Sequence, residues 1–236
     1  MPYIAHMKAY FFDLDGTLTD SRAGLYPAFR SGLEAIGVSS VADEQLKRFL
    51  GTPLPQVFRA MRPDVKPADI DAGITAFRAT YEVTGIVENE LYPGVNSMLG
   101  EIRRRHGKIW VVTSKPEFQA VRVTAHLGLD HYLEGVIGAS LAETDTKTEL
   151  IARALSAARV PSHTAIMIGD RSYDVVGAIA NRVLPVGALW GYGSEDELRE
   201  AGCREFARSP DEFREVFVQA RPSLSKKASL AAAGAR

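Results

Sequence analysis

Asp13 and Asp15 stand one residue apart at the end of an apolar, aromatic-rich run, Ala9-Tyr10-Phe11-Phe12, with Gly16-Thr17 directly behind them. The run reads as a buried strand and the Gly-Thr step as a sharp exit from it. Side chains alternate along a strand, so residues i and i+2 share a face and can approach one site. Two neighbouring carboxylates repel, and burial sharpens the repulsion. A cation relieves it, and hard oxygen ligands suit Mg²⁺, which takes few carboxylates together with water and substrate phosphate. Asp-x-Asp alone is as readily a solvated turn. Asp13-Leu14-Asp15-Gly16-Thr17 directly after an apolar strand is far more specific.

Three more places carry polar groups of the same kind. Thr113-Ser114 follows the apolar run Lys108-Ile109-Trp110-Val111-Val112, Lys147 opens a helical pattern, and Asp170 with Asp174 follows Thr164-Ala165-Ile166-Met167-Ile168-Gly169. Each has an ordinary structural reading: capping residues, a solvated helix-start lysine, a cap and a surface charge. In an open α/β sheet, however, ligands bind beyond the carboxyl ends of the strands. All four places fall at that edge.

The elements that must position them alternate strand with helix. The spacing predicts strands over 108–113, 135–139, 164–170 and 183–189, and helices over 95–105, 116–127, 147–158, 172–180, 195–201 and 210–219. That alternation implies a doubly wound parallel sheet, a Rossmann-like α/β core. Residues 21–90 differ in texture, with helical stripes and breakers only. Leu25, Phe29, Leu33 and Ile36 form one stripe. Pro27 fits only a first turn, which places the start of that helix near Leu25. Further helices are expected around Leu46–Leu50 and Leu54–Met61 and from Pro67. The expected organisation is a core of residues 1–20 and 88–220, an inserted all-helical cap of residues 21–87, and a disordered tail over 221–236, which is rich in Ala, Ser and Lys.

Composition bounds the possibilities. The 236 residues are 46% hydrophobic and 24% charged with net charge −1, which gives no bias towards nucleic acid or membrane surfaces. The single cysteine, Cys203, excludes an intramolecular disulfide framework. No stretch is apolar for the ~20 residues of a spanning helix. Met1 to Lys8 lacks the basic-then-apolar pattern of a signal peptide, and the expected location is cytoplasmic. The chain is expected as a monomer or a homodimer.

The order of the four places resembles the four motifs of the haloacid dehalogenase superfamily of phosphohydrolases, over roughly residues 8–220. Phosphoglycolate phosphatase-like members are similar in further segments: Asp20-Ser21, Leu50-Gly51-Thr52-Pro53-Leu54, Tyr92-Pro93-Gly94-Val95, Thr113-Ser114-Lys115-Pro116, Asp145 to Ile151, and Trp190-Gly191-Tyr192-Gly193. The resemblance implies that Asp13 is the nucleophile and forms an aspartyl-phosphate. It implies that Asp15 protonates the leaving oxygen and then activates water. It implies a Mg²⁺ ion held by the Asp13 carboxylate, the Asp15 backbone carbonyl and Asp170, with Asp174 in support. Thr113, the Ser114 amide at a helix start, and Lys147 would hold phosphoryl oxygens.

Related chemistries separate by residue. Haloacid dehalogenases lack the second Asp of the first motif, sugar-phosphate mutases carry a cap His that Ser21-Arg22-Ala23-Gly24-Leu25 does not contain, and Lys47 and Lys66, the cap lysines, look like surface charges rather than a Schiff base. The expected activity is therefore hydrolysis of a small phosphomonoester such as 2-phosphoglycolate. The alternatives are a 5′-nucleotidase or a pyrophosphatase and, outside enzymes, a catalytically idle binding module. Arg22 and the Gly51-Thr52-Pro53 loop are the candidate cap contacts to substrate, Arg22 for a substrate carboxylate.

Overall fold

The first strand is β1 (Ala9–Phe12): every one of its residues is buried, and it lies between two neighbouring strands. The computed structural model describes residues 7–141 and 145–219. The tail expected over 221–236 lies outside the described residues. After β1 come β2 (Thr19–Asp20) and helices α1 (Arg22–Ala35), α2 (Asp43–Lys47), α3 (Leu54–Met61) and α4 (Pro67–Thr84). β3 (Glu90–Leu91), α5 (Val95–Arg104), β4 (Lys108–Pro116), α6 (Glu117–His126), β5 (Gly135–Ala139) and α7 (Lys147–Ala158) follow. The last elements are β6 (Ala165–Gly169), α8 (Ser172–Ala180), β7 (Leu184–Ala188), α9 (Glu195–Glu200), β8 (Glu205–Ala207) and α10 (Pro210–Phe213), which runs into a π-helical turn over Arg214–Val218.

Six strands form one parallel sheet in the order β5-β4-β1-β6-β7-β8. Helices cover both faces, so its inner strands read as continuous apolar runs. Alternation sorts them: Tyr10 and Phe12 pack with Val95, Met98 and Leu99 of α5 and with Ala120 and Val123 of α6. Ala9 and Phe11 point the other way, to Leu150, Ile151 and Ala154 of α7 and Ala178 of α8. This is the doubly wound α/β fold expected from the sequence. Register decides the site: Phe12 is paired with Val111 on one side and Ile168 on the other, so the chain leaves β1, β4 and β6 at one edge.

The helices α1 to α4 build a separate apolar cluster that includes Leu25, Phe29, Leu33, Phe58, Phe77 and Tyr81. The insert leaves and rejoins the rest of the chain through an antiparallel pair, Thr19 with Leu91 and Asp20 with Glu90. Neither β2, β3 nor β8 is anticipated by the sequence pattern. α1 also starts at Arg22 rather than near Leu25, which places Pro27 inside the helix. The lost bond to the Ala23 carbonyl is outweighed by burial of Leu25, Ala28, Phe29 and Leu33 along one stripe.

α1 and α4 cross closely at Gly32. A Cβ there would meet the Gly73 carbonyl oxygen at 2.8 Å and Phe58 Cζ at 2.9 Å. Gly32→Ala is therefore expected to lower stability by ~1–3 kcal/mol through overpacking, a melting-temperature loss of a few degrees at ~2–4 °C per kcal/mol. An unchanged calorimetric melting temperature would show that the crossing can widen freely.

Candidate active site

Asp13 is the first residue past β1, and its backbone N–H donates to the Ile168 carbonyl at 2.9 Å. Its Oδ1 accepts from Lys147 Nζ at 2.9 Å. Lys147 reaches there from the first turn of α7, where the Thr146 side chain accepts the Glu149 N–H and starts the helix. The same ammonium lies 2.8 Å from Asp174 Oδ1 and donates to the Val112 carbonyl at 2.9 Å. Burial opposes the Lys147 charge, but Asp13 and Asp174 outweigh it and hold its pKa above the ordinary lysine value.

Asp170 is the first residue past β6 and is fully buried. Thr17 donates its hydroxyl to Asp170 Oδ1 at 3.2 Å, and the Tyr192 N–H donates to Oδ2 at 2.8 Å. Gly16 makes this fit possible: its φ is +86°, and a Cβ would fall 2.4 Å from Asp170 Oδ2. Among the described residues Asp170 has no ion pair. Burial, with Asp13 and Asp174 adding to it, pushes its pKa up to about 8. Burial raises Asp174 to about 6 against the pull of Lys147.

One oxygen each from Asp13, Asp170 and Asp174 lie within 4.8 Å of one another. Three hard donors, one of them a buried carboxylate without an ion pair, are a good match for a divalent cation. Asp174, assigned only a supporting place by the sequence, offers its carboxylate to this cluster directly. The Asp15 side chain does not join it. It turns instead to Lys115, whose Nζ lies 2.6 Å from Asp15 Oδ2.

Lys115 is a functional candidate that sequence reasoning passed over. Its side chain is only 6% exposed, and its ammonium stands 4.6 Å above the Tyr81 ring of α4, a cation–π contact that ties the insert to Asp15. Asp15 and Tyr81 outweigh its burial and keep it charged. The one signal was a lysine beside Ser114 at a strand end. Ser114 itself needs a correction. β4 runs on to Pro116 and α6 begins at Glu117, so the Ser114 amide lies on extended chain, not at a helix start. Pro116 enforces this by pushing Lys115 out of the helical region.

A cavity of about 440 Å³ opens over this edge. Asp13, Asp15, Thr113, Ser114, Lys147 and Asp174 line its floor, and Gly51 and Thr52 reach it from the insert. Arg22 does not. It is turned to Asp20, which takes its Nε at 2.8 Å, in a shallow depression with Tyr26 and Glu90. The guanidinium holds the Asp20 carboxyl below its usual range. Arg22→Ala is accordingly expected to leave kcat/KM for any phosphate ester within about twofold, since surface changes away from a site act weakly. A selective rise in KM for acidic esters would restore Arg22 as a substrate contact.

A family model described as haloacid dehalogenase-like hydrolase matches residues 10–187. The chain is 34% identical over 209 residues to the tyrosine-protein kinase PtkA of Mycobacterium tuberculosis, covering 87% of this chain and 71% of PtkA. The structure of PtkA superposes with a TM-score of 0.76 at 33% identity, over 90% of this chain and 98% of that one. A 5′-nucleotidase from Pseudomonas aeruginosa is 35% identical over 189 residues, 80% of this chain and 85% of its own. A phosphoglycolate phosphatase from Rhodobacter capsulatus is 32% identical over 171 residues, 70% and 77% respectively.

Proposed function

The chain belongs to the haloacid dehalogenase-like hydrolases, and from that premise we propose that it cleaves phosphomonoesters through an aspartyl-phosphate on Asp13, with Mg²⁺ as the resident cation. Its broad class is plain from the family and its relatives: it is a phosphatase. The observation that carries the finer reading is the position of Asp13, at the floor of the cavity, beside Lys147 and at the edge of the acidic cluster.

In this reading the Asp13 carboxylate attacks phosphorus in line with the ester bond. That bond breaks, and the leaving oxygen takes a proton from Asp15. Asp15 then draws a proton from water, which attacks the phosphoryl group and releases inorganic phosphate and free Asp13. Lys147, Thr113 and the Ser114 amide hold the phosphoryl oxygens. Asp13 and Asp170, with Asp174, would hold Mg²⁺, which when bound neutralises phosphoryl charge. Lys115 fixes the Asp15 carboxyl on the leaving-group side. Its ammonium has to draw back when Asp15 carries the proton.

The name of PtkA raises a kinase reading, which needs extra cations for a triphosphate. Of the cations that line the cavity, Lys115, Lys147 and Arg171 are already paired with Asp15, with Asp13 and Asp174, and with Glu197, and Arg78 donates to the Leu141 carbonyl at 3.3 Å. The geometry favours hydrolysis of a single phosphoryl ester. The test is release of phosphate from p-nitrophenyl phosphate by the purified chain with Mg²⁺. Turnover that EDTA abolishes is the expected result. A folded protein that releases nothing would be the idle binding module instead.

A further inference from the structure

The wall of the cavity that faces the floor is apolar and largely aromatic. Leu25 and Phe29 of α1, Leu54 of α3, and Phe77 and Tyr81 of α4 all line it. Phe29 meets Phe77 edge-on at 5.2 Å between ring centroids, and Phe77 stacks on Tyr81 at 5.9 Å and 4°. Gln56, Gln119 and Thr52 supply neutral hydrogen-bonding groups between this wall and the floor. The volume falls in the ~300–1,000 Å³ range of small-molecule pockets. A two-carbon acid phosphate on the phosphoryl floor has little apolar surface with which to cover these rings, although Arg78 and Arg171 also line the cavity. An aromatic ring carried by the leaving group would instead pack against Phe29 and Phe77, since the Tyr81 ring is already covered by Phe77 and by the Lys115 ammonium.

We infer that the substrate class of this site is a phosphomonoester whose leaving group carries a planar aromatic ring, selected by Phe29 and Phe77. This deepens the phosphatase reading and rests on it. Two sources share this chemistry, aryl phosphates and nucleoside monophosphates.

Aryl esters are intrinsically better leaving groups than alkyl esters, so rates alone do not read the wall. Binding of uncleavable isosteres does. Calorimetry with Mg²⁺ would compare benzylphosphonate with 3-phosphonopropionate, the carbon analogue of 2-phosphoglycolate. The expected result is tighter binding of the aromatic phosphonate by at least about tenfold, the scale on which apolar pockets discriminate. Equal or tighter binding of 3-phosphonopropionate would overturn the inference while leaving the phosphatase reading standing. Loss of p-nitrophenyl phosphate turnover in folded protein would overturn that reading instead, and the binding comparison would still stand by itself. A second arm compares kcat/KM for thymidine 5′-monophosphate and ribose 5-phosphate, whose scissile ester is the same. A preference of at least about tenfold for the nucleotide assigns the ring to a nucleobase, and no preference, with tight benzylphosphonate, assigns it to an aryl ester. Phe77→Leu, which removes the ring and keeps an apolar side chain, should narrow the benzylphosphonate advantage with inorganic phosphate binding unchanged. If it fails to fold, the wild-type comparison decides alone.

Discussion

Asp13→Asn is expected to lower kcat by at least about four orders of magnitude, the loss seen when a covalent nucleophile is removed, while the fold survives. Asparagine keeps the shape of the side chain but not the charge, and an amide oxygen does not displace an alkoxide from phosphorus. Lys147 stays held by Asp174 at 2.8 Å and by the Val112 carbonyl at 2.9 Å, so the buried ammonium is not stranded. Asp15→Asn removes the proton donor and leaves the nucleophile, and is expected to cost less, about 10²–10⁴-fold. Acid quenching during turnover should trap hydroxylamine-sensitive phosphate on the wild type and none on Asp13→Asn. Substantial turnover by Asp13→Asn would falsify the covalent route and shift the weight to direct attack by water.

How much of this could be read in the chain follows from how local each cause is. β1, β4 and β6 are buried on both faces, so their apolar runs are continuous and end abruptly where the polar edge begins. Asp13, Thr113 and Asp170 stand at those ends and are visible for that reason. Asp174 follows four residues into the next helix, a spacing that returns it to the same side. β2, β3 and β8 are two or three residues each. They exist because of the strand that each lies against, and no pattern within so short a segment records a partner. Lys115 owes its place to Asp15, one hundred residues away, and to the Tyr81 ring. Arg22 was misjudged for the opposite reason. Its position at the entry to α1 is correct, but Asp20, two residues earlier, captures the guanidinium on the outside of the helix. The Ser114 amide is not at a helix start because Pro116, which by its type also suits a first turn, here caps α6 from outside.

Without a divalent cation the protein is expected to lose stability as pH rises from about 4 to about 8. Asp170 is the main cause. In the unfolded chain it titrates near ~3.9, but in the folded one burial, then Asp13 and Asp174, lift it to about 8. Asp174 adds to the lower part of the range, with its folded value about 6. Between the unfolded and folded values the native state binds more protons than the unfolded one, so ΔG of unfolding falls with pH. The stability is present below the unfolded pKa and is gone once pH passes the folded one. At ~1.4 kcal/mol per pKa unit the effect is of order 5 kcal/mol, or roughly 10–20 °C in melting temperature for a chain of this size. A bound Mg²⁺ takes over the neutralisation from the protons it displaces, so its affinity should climb over the same interval. At a hundred times its dissociation constant it would restore ~3 kcal/mol. Melting curves in EDTA and in Mg²⁺ at pH near 5 and near 8 measure both effects. Mg²⁺ should raise the melting temperature far more at the higher pH. Asp170→Asn cannot titrate and should flatten the pH slope in EDTA even if it binds the ion poorly, which separates this carboxyl from every other group that changes charge over the range. A wild-type melting temperature that neither falls with pH in EDTA nor responds to Mg²⁺ would mean that the acidic cluster is not a cation site.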